Sequence, residues 1–250
     1  MTRRRGLLLA AAGVAALAHR NVRAQASPTP GSPPAVSPSP MPKPASPPPA
    51  PVLKALGGDR YQVGRIVVDK GTRRFTVPGR IRALDKPLEF LATLPGARKG
   101  YESLLELETN GIEFNLACIL VGLERDKSVP PERPLLAPVG PRVALDVAWT
   151  AGGRRQILTA ADALFGTAAA GSDRTLDWIY TGSFTSLDGS QLAADVTGTL
   201  VSFVKKDPSG VIALASAVDL GPYGAVRGSD RLPPEGSEVE LIVVAGVDAK

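Results

Sequence analysis

Twelve of the chain's 24 prolines fall between residues 27 and 51, and that crowding divides the sequence before any other feature is weighed. Proline has no amide donor and fixes φ, so so dense a run cannot enter the interior of a helix or sheet. Mixed with Ser, Ala and Thr, residues 27–51 are expected to form a semi-rigid polyproline-II spacer. At about 3.1 Å per residue it would reach roughly 75 Å. Folding is thereby confined to residues 52–250.

The residues before the spacer have the pattern of an export signal. Arg3, Arg4 and Arg5 precede an apolar stretch from Leu7 to Ala18, and Ala24-Gln25-Ala26 supplies a small-x-small cleavage pattern. Cleavage is expected near Ser27. The adjacent arginines resemble a twin-arginine signal, with Gly6 where that motif prefers Phe. The formal charge of +5 resides in this leader: five of the 29 basic residues (Arg3, Arg4, Arg5, Arg20, Arg23) lie there without an acid, leaving 24 basic and 24 acidic groups for the rest. A folded part of zero net charge gives no support to a general nucleic-acid-binding surface, so no nucleic-acid partner is expected. The one histidine, His19, is also in the leader, so the remainder has no imidazole for a Ser-His-Asp or Cys-His site or a His-ligated metal. No apolar run approaches the roughly 20 residues of a spanning helix.

Within residues 52–250 period-two alternation dominates. Val143, Leu145, Val147 and Trp149 share one face of a strand against Arg142, Asp146 and Thr150 on the other, and Val239, Leu241 and Val243 alternate with Glu238 and Glu240. Further strands are expected near 63–69, 72–77, 79–84, 87–93, 102–108, 177–184, 190–195, 197–205 and 210–215. Asp188-Gly189 is a hairpin turn signal and Asp207-Pro208-Ser209-Gly210 another turn. The paired cations Arg73-Arg74 and Lys205-Lys206 fit edge strands, where charge discourages aggregation. One segment departs from alternation: Asn110 and Glu113 form a capping arrangement, Ile112 to Leu123 is apolar on nearly every side, and Gly122 would end the helix. A second short helix is expected through Ala160–Leu164. The expected class is therefore α+β, a mainly antiparallel β-sheet domain with one central buried helix, preceded by the signal peptide and Pro-rich linker.

Few residues offer chemistry. Cys118, the single cysteine, lies inside the apolar helix, where a thiol stays protonated and inert. No zinc pattern, phosphate-binding loop, dinucleotide fingerprint or EF-hand loop occurs, so no cofactor and no metal are expected. The one local cluster is Lys99-Gly100-Tyr101-Glu102-Ser103. Glu102, Glu106 and Glu108 fall on one strand face, because side chains repeat every two residues; paired carboxylates there could act as acid and base on a glycoside, and as a solvated face they would do nothing. A Ser103–Lys99 dyad would need no histidine. Trp178 and Tyr180 share a strand face, either as a stacking platform for a sugar or peptide or as core.

On these residues the chain resembles the YdjY-like family of exported bacterial proteins, from about Val63 to Val244. The resemblance is carried by Lys99-Gly100-Tyr101-Glu102-Ser103, the helix through Leu123, Leu176-Asp177-Trp178-Ile179-Tyr180-Thr181-Gly182-Ser183, Ala193-Ala194-Asp195, the turn after Lys206, and Leu232-Pro233-Pro234-Glu235-Gly236. In that family the first marker reads His-Glu-Ser; Tyr101 stands in the histidine place. The resemblance implies export and a shared fold and supplies no reaction.

The expected function is an exported, periplasmic or cell-surface binding or structural module that meets an envelope ligand or protein. Its candidate surface centres on Tyr101, Glu102 and Ser103, with Trp178, Tyr180 and Asp195 as secondary candidates. The competing expectations are a carboxylate-dependent envelope hydrolase of glycans or peptides, and a cofactor protein exported already folded.

Overall fold

The structure, a computed structural model, describes residues 51–124, 138–165, 176–185, 191–204, 209–215 and 225–246. The leader, the spacer up to residue 50, Asp188-Gly189, Lys205-Lys206 and Asp207-Pro208 lie outside the described residues. The chain runs through β1 (Leu53–Gly57), β2 (Arg60–Val63), β3 (Ile66–Asp69), β4 (Arg74–Ile81), β5 (Phe90–Thr93), β6 (Ser103–Leu107) and helix α1 (Gly111–Leu120). It continues with β7 (Arg142–Ala151), β8 (Arg154–Thr159), α2 (Ala160–Phe165), β9 (Trp178–Tyr180), α3 (Ala193–Thr197), β10 (Thr199–Ser202), β11 (Ile212–Leu214) and β12 (Glu238–Ala245).

Eight of these strands close on themselves in the order β4-β12-β7-β9-β11-β10-β5-β6, and β6 pairs back onto β4. Two of the pairings, β10–β11 and β5–β6, are parallel and the other six antiparallel. A closed eight-stranded barrel overturns the expected α+β sheet with one central helix. Alternation shows which side chains of a strand face the core; it carries no trace of whether the first and last edges of a sheet meet.

The closure is made at β4. Its first half pairs with β3 (Val67↔Thr76, Val68↔Phe75) and its second half with β6 (Gly79↔Leu107, Ile81↔Leu105), while β12 accompanies it on the other side throughout. Pro78 stands at the changeover, where its missing N–H falls between two partners and its carbonyl accepts the Glu108 N–H at 2.8 Å. The two strands expected at 72–77 and 79–84 are therefore one. The expected strand at 63–69 is instead two, broken by a turn at Gly64 and Arg65. β1–β2–β3 peels away from the ring as a meander, and β8 extends it from β7. Residues 190–195, expected as a strand, hold α3, entered through a single bridge between Thr185 and Leu192. Arg74 opens β4, a strand paired on both sides, so it is no edge charge; Arg73 sits in the preceding turn.

An eight-stranded barrel is just wide enough for side chains to fill. Phe75, Val77, Ile81, Leu105, Leu107, Val147, Tyr180, Val201, Ile212, Leu241 and Val243 are all at most 1% exposed and belong to one contiguous core. α1 is peripheral. It bridges the β2–β3 extension, β10 and α3, and buries one stripe, Gly111, Phe114, Ala117 and Cys118, with the Phe114 ring edge-on to Phe75 at 5.4 Å. Ile119, on the opposite side, is exposed. The Asn110 Oδ1 accepts the Glu113 N–H at 2.8 Å, the expected N-cap. At the other end Gly122 takes φ +86°, its N–H bonds to the Ile119 carbonyl, and the Leu123 N–H reaches back to the Cys118 carbonyl, a Schellman stop.

Candidate functional site

The Lys99–Ser103 cluster lies on a 3-10 turn, Gly100–Glu102, that runs directly into β6. The turn is fixed by the Gly100 N–H on the Ala97 carbonyl (2.9 Å) and the Glu102 N–H on the Lys99 carbonyl (3.0 Å). Tyr101 projects from it and is half exposed (51%). Glu102 beside it is buried, its Oε2 3.4 Å from the Lys99 ammonium. That ammonium donates to Glu89 Oε2 at 2.5 Å and stands 5.6 Å from the centre of the Phe90 ring. Its hydrogen bond to Glu89 holds the Lys99 pKa above the usual lysine range against partial burial, and the Glu102 charge adds to the effect.

The three glutamates spaced by alternation do not act together. Glu102 faces Lys99; Glu106 pairs with Arg80 and lies 3.8 Å from Arg82; Glu108 pairs with Arg65 at 2.8 Å. Each carboxylate is drawn to a different cation and none to another carboxylate. Nor is the first pair a solvated face, since Glu102 and Glu106 are both 8% exposed. The Arg80–Glu106 pair has a structural place: the two residues are opposite one another across the β4–β6 seam. Ser103 and Lys99 form no dyad, because the Ser103 hydroxyl is fully buried and donates to the Leu105 carbonyl at 2.8 Å.

The secondary candidates are structural as well. Trp178 (3% exposed) and Tyr180 (0%) point into the core, so they offer no stacking platform. The Tyr180 hydroxyl donates to Asn115 Oδ1 at 2.8 Å, tying β9 to α1 across 65 residues of sequence. Asp195, in the first turn of α3, accepts the Gly111 N–H at 2.5 Å and so supplies an anion to the N-terminus of α1. Partial burial raises its pKa, and backbone hydrogen bonds from Gly111 and Ile112 oppose the rise. Gly111 is required by this contact, since a Cβ there would lie 2.9 Å from Asp195 Oδ1 and 3.1 Å from Ala194 Cβ. Cys118 is completely buried, which pushes its thiol pKa well above the ordinary value.

Alternation left one polar cluster unnoticed. Ser183 is buried at φ +55°, its hydroxyl donating to the Ser209 carbonyl (2.7 Å) and accepting the Ala194 N–H (3.2 Å). Thr181 donates to the Gly210 carbonyl at 2.7 Å, and Thr197 and Ser209 share a hydroxyl bond of 2.9 Å. These groups bind the end of β9, the start of β11 and α3 to one another. The local signals were Gly182 before Ser183, a glycine able to take the positive φ of +72° that it adopts, and the expected turn that contains Ser209 and Gly210.

No helix among the described residues is long and apolar enough to cross a membrane. Of the cluster predicted from sequence, the fold brings Lys99 and Tyr101 to one surface with Glu102 buried beside them, and sends Ser103, Trp178 and Tyr180 inward. Compared with protein-family models, with characterised proteins and with solved structures, the chain matches none.

Proposed function

We propose that this chain is an exported binding or structural domain, held away from a membrane or wall by its proline-rich spacer and working through surface contact. The observation that carries the reading is the state of its acids: Glu102, Glu106 and Glu108 are each tied to a separate cation in or beside a strand, where a hydrolytic pair would converge on one point. A barrel filled with side chains adds to it, since such a lumen holds no ligand. On this reading Tyr101 is the contact residue, an exposed ring on a turn anchored by two backbone bonds, with the Glu89–Lys99–Glu102 network setting the charge around it. The basic leader, its short apolar core and Ala24-Gln25-Ala26 support export, and the YdjY-like motifs are in keeping with it.

The test incubates the purified protein with isolated cell-wall sacculi and with envelope-protein extract. Co-sedimentation that weakens in Tyr101→Ala, without release of soluble fragments, is expected. Fragment release abolished by Glu102→Gln would instead establish the hydrolase. Intact-mass analysis of the envelope fraction should find a chain beginning near Ser27.

A further inference from the structure

Arg73 is held in a way its neighbours do not explain. It closes the β3–β4 turn, its N–H bonded to the Lys70 carbonyl at 3.2 Å and its carbonyl accepting the Ala245 N–H at 2.9 Å. Serving both bonds puts it at φ +52°, a conformation that glycine takes freely and a long side chain resists. An arginine at such a φ points to a role for its side chain.

That side chain lies in a cradle. Its Nε donates to the Val121 carbonyl at the C-terminus of α1, at 3.3 Å. Two glycines flank the guanidinium: a Cβ on Gly246 would fall 2.6 Å from Nη1, and one on Gly122 would fall 3.5 Å from Nη2. At Gly246 a side chain would collide with the guanidinium, while at Gly122 it would only touch it. The helix end uses one nitrogen, and among the described residues Nη1 and Nη2 have no hydrogen bond or ion pair. They border an open depression of about 580 Å³ whose wall also includes Val139, Gly140, Pro141 and Glu124. Glu124 is itself engaged in an interaction, and Val139 is 61% exposed.

We propose that this depression is a binding site for a carboxylate carried next to an apolar group, with the Arg73 fork taking the carboxylate and Val139 and Pro141 receiving the apolar part. A guanidinium fixed through Nε presents its remaining N–H groups as a planar pair, the geometry that matches a carboxylate bidentately. The volume suits a small ligand. Two sources share this chemistry, a free small acid and the C-terminus of a peptide. The site is independent of the Tyr101 surface and stands or falls without it.

The experiment titrates the full chain, ¹⁵N-labelled, with N-acetyl-valine, its methyl ester, acetyl-Ala-Ala-Val and inorganic phosphate, following the Arg73 Nε–H and the Gly122 and Gly140 amides by NMR. Saturable shifts with the two carboxylates and none with the ester are expected. A tighter tripeptide identifies a peptide terminus as the source, and equal binding identifies a free acid. Arg73→Lys should weaken binding at least tenfold. Because Arg73 also holds the end of α1, a second variant, Val139→Glu, places a repelling charge at an exposed position; it should weaken binding severalfold with the melting temperature unchanged. No saturable shift, an ester that binds as well as the acid, phosphate equal to N-acetyl-valine, or affinity indifferent to both substitutions would each overturn the proposal.

Discussion

Substituting Gly79 by alanine tests the barrel closure at the point where it is made. A Cβ at this position would overlap the Glu106 carbonyl oxygen and lie 2.8 Å from Leu107 Cδ2 and 3.0 Å from Leu107 Cα. Two of those three atoms are backbone, so the strain cannot be relieved by a rotamer change and β4 and β6 must separate. Overpacking of this kind costs about 1–3 kcal/mol. Loosening the pairs Gly79↔Leu107, Arg80↔Glu106 and Ile81↔Leu105 adds about 1 kcal/mol for each hydrogen bond weakened. With overpacking at the middle of its range and one ladder hydrogen bond weakened, the sum is about 3 kcal/mol, a fall in melting temperature of roughly 6–12 °C for a domain of this size. Urea unfolding followed by tryptophan fluorescence is a suitable assay, because Trp178 is 3% exposed and reports directly on the core. Gly100→Ala is the control: the nearest atoms to its Cβ would be 3.8 and 4.0 Å away and its φ is not positive, so it should change stability by less than about 0.5 kcal/mol. If Gly79→Ala were as stable as Gly100→Ala, β4 and β6 would not be paired and the ring would be open.

Cys118 should react with a thiol reagent only on unfolding, and Cys118→Ala should cost about 1–2 kcal/mol through a small cavity; rapid labelling of the native protein would contradict its burial. Glu102→Gln should lower the melting temperature by weakening the contact with Lys99, a loss of about 1 kcal/mol given that half-exposed partner, and an unchanged melting temperature would mean that Glu102 is held for its surface role alone. Asp195 bears on pH. Its folded pKa is raised above 3.8 by burial, so the folded state favours the protonated form, and its ionised form costs stability at neutral pH. The stability contributed by the protonated form is complete below the unfolded pKa and is lost as pH rises through the folded one. Relative to Asp195→Asn, which keeps an acceptor for Gly111, the wild type should therefore gain in urea midpoint between about pH 7 and pH 4. A relative loss over that range would refute the assignment.

Where a strand has one wet face its pattern is plain, and β7 and β12 were recognised from Val143–Trp149 and Val239–Val243. β1 and β8 were not, because Leu-Lys-Ala-Leu-Gly has no β-branched residue and Arg-Arg-Gln-Ile-Leu-Thr buries a single side chain. Five residues of α3 are too few for a helical period to show against alternation. Closure was hidden for a different reason: it depends on pairing residues 79–81 with 105–107, and each segment looks the same with or without the other. The candidate site suffered likewise. The spacing of Glu102, Glu106 and Glu108 was visible, but the cations that claim them, Lys99, Arg80 and Arg65, belong to three different elements. Asn115, which turns Tyr180 from a stacking candidate into a core tie, is 65 residues distant. The cap on α1 was readable because both of its partners lie within three residues.

The position of β12 in the ring has a kinetic consequence. This last strand is wedged between β4 and β7, with Val77 opposite Leu241 on one side and Val147 on the other. Until residues 238–245 are available the other seven strands form an interrupted sheet with two bare edges, at β4 and β7. One of its other joints, Ala92↔Val201 between β5 and β10, already spans more than a hundred residues of sequence, an arrangement that makes folding slow. The barrel therefore cannot close before residues 238–245 have been made and have reached β4 and β7. During that interval the edges that β12 will cover are where a chaperone, or a second unfinished chain, would bind.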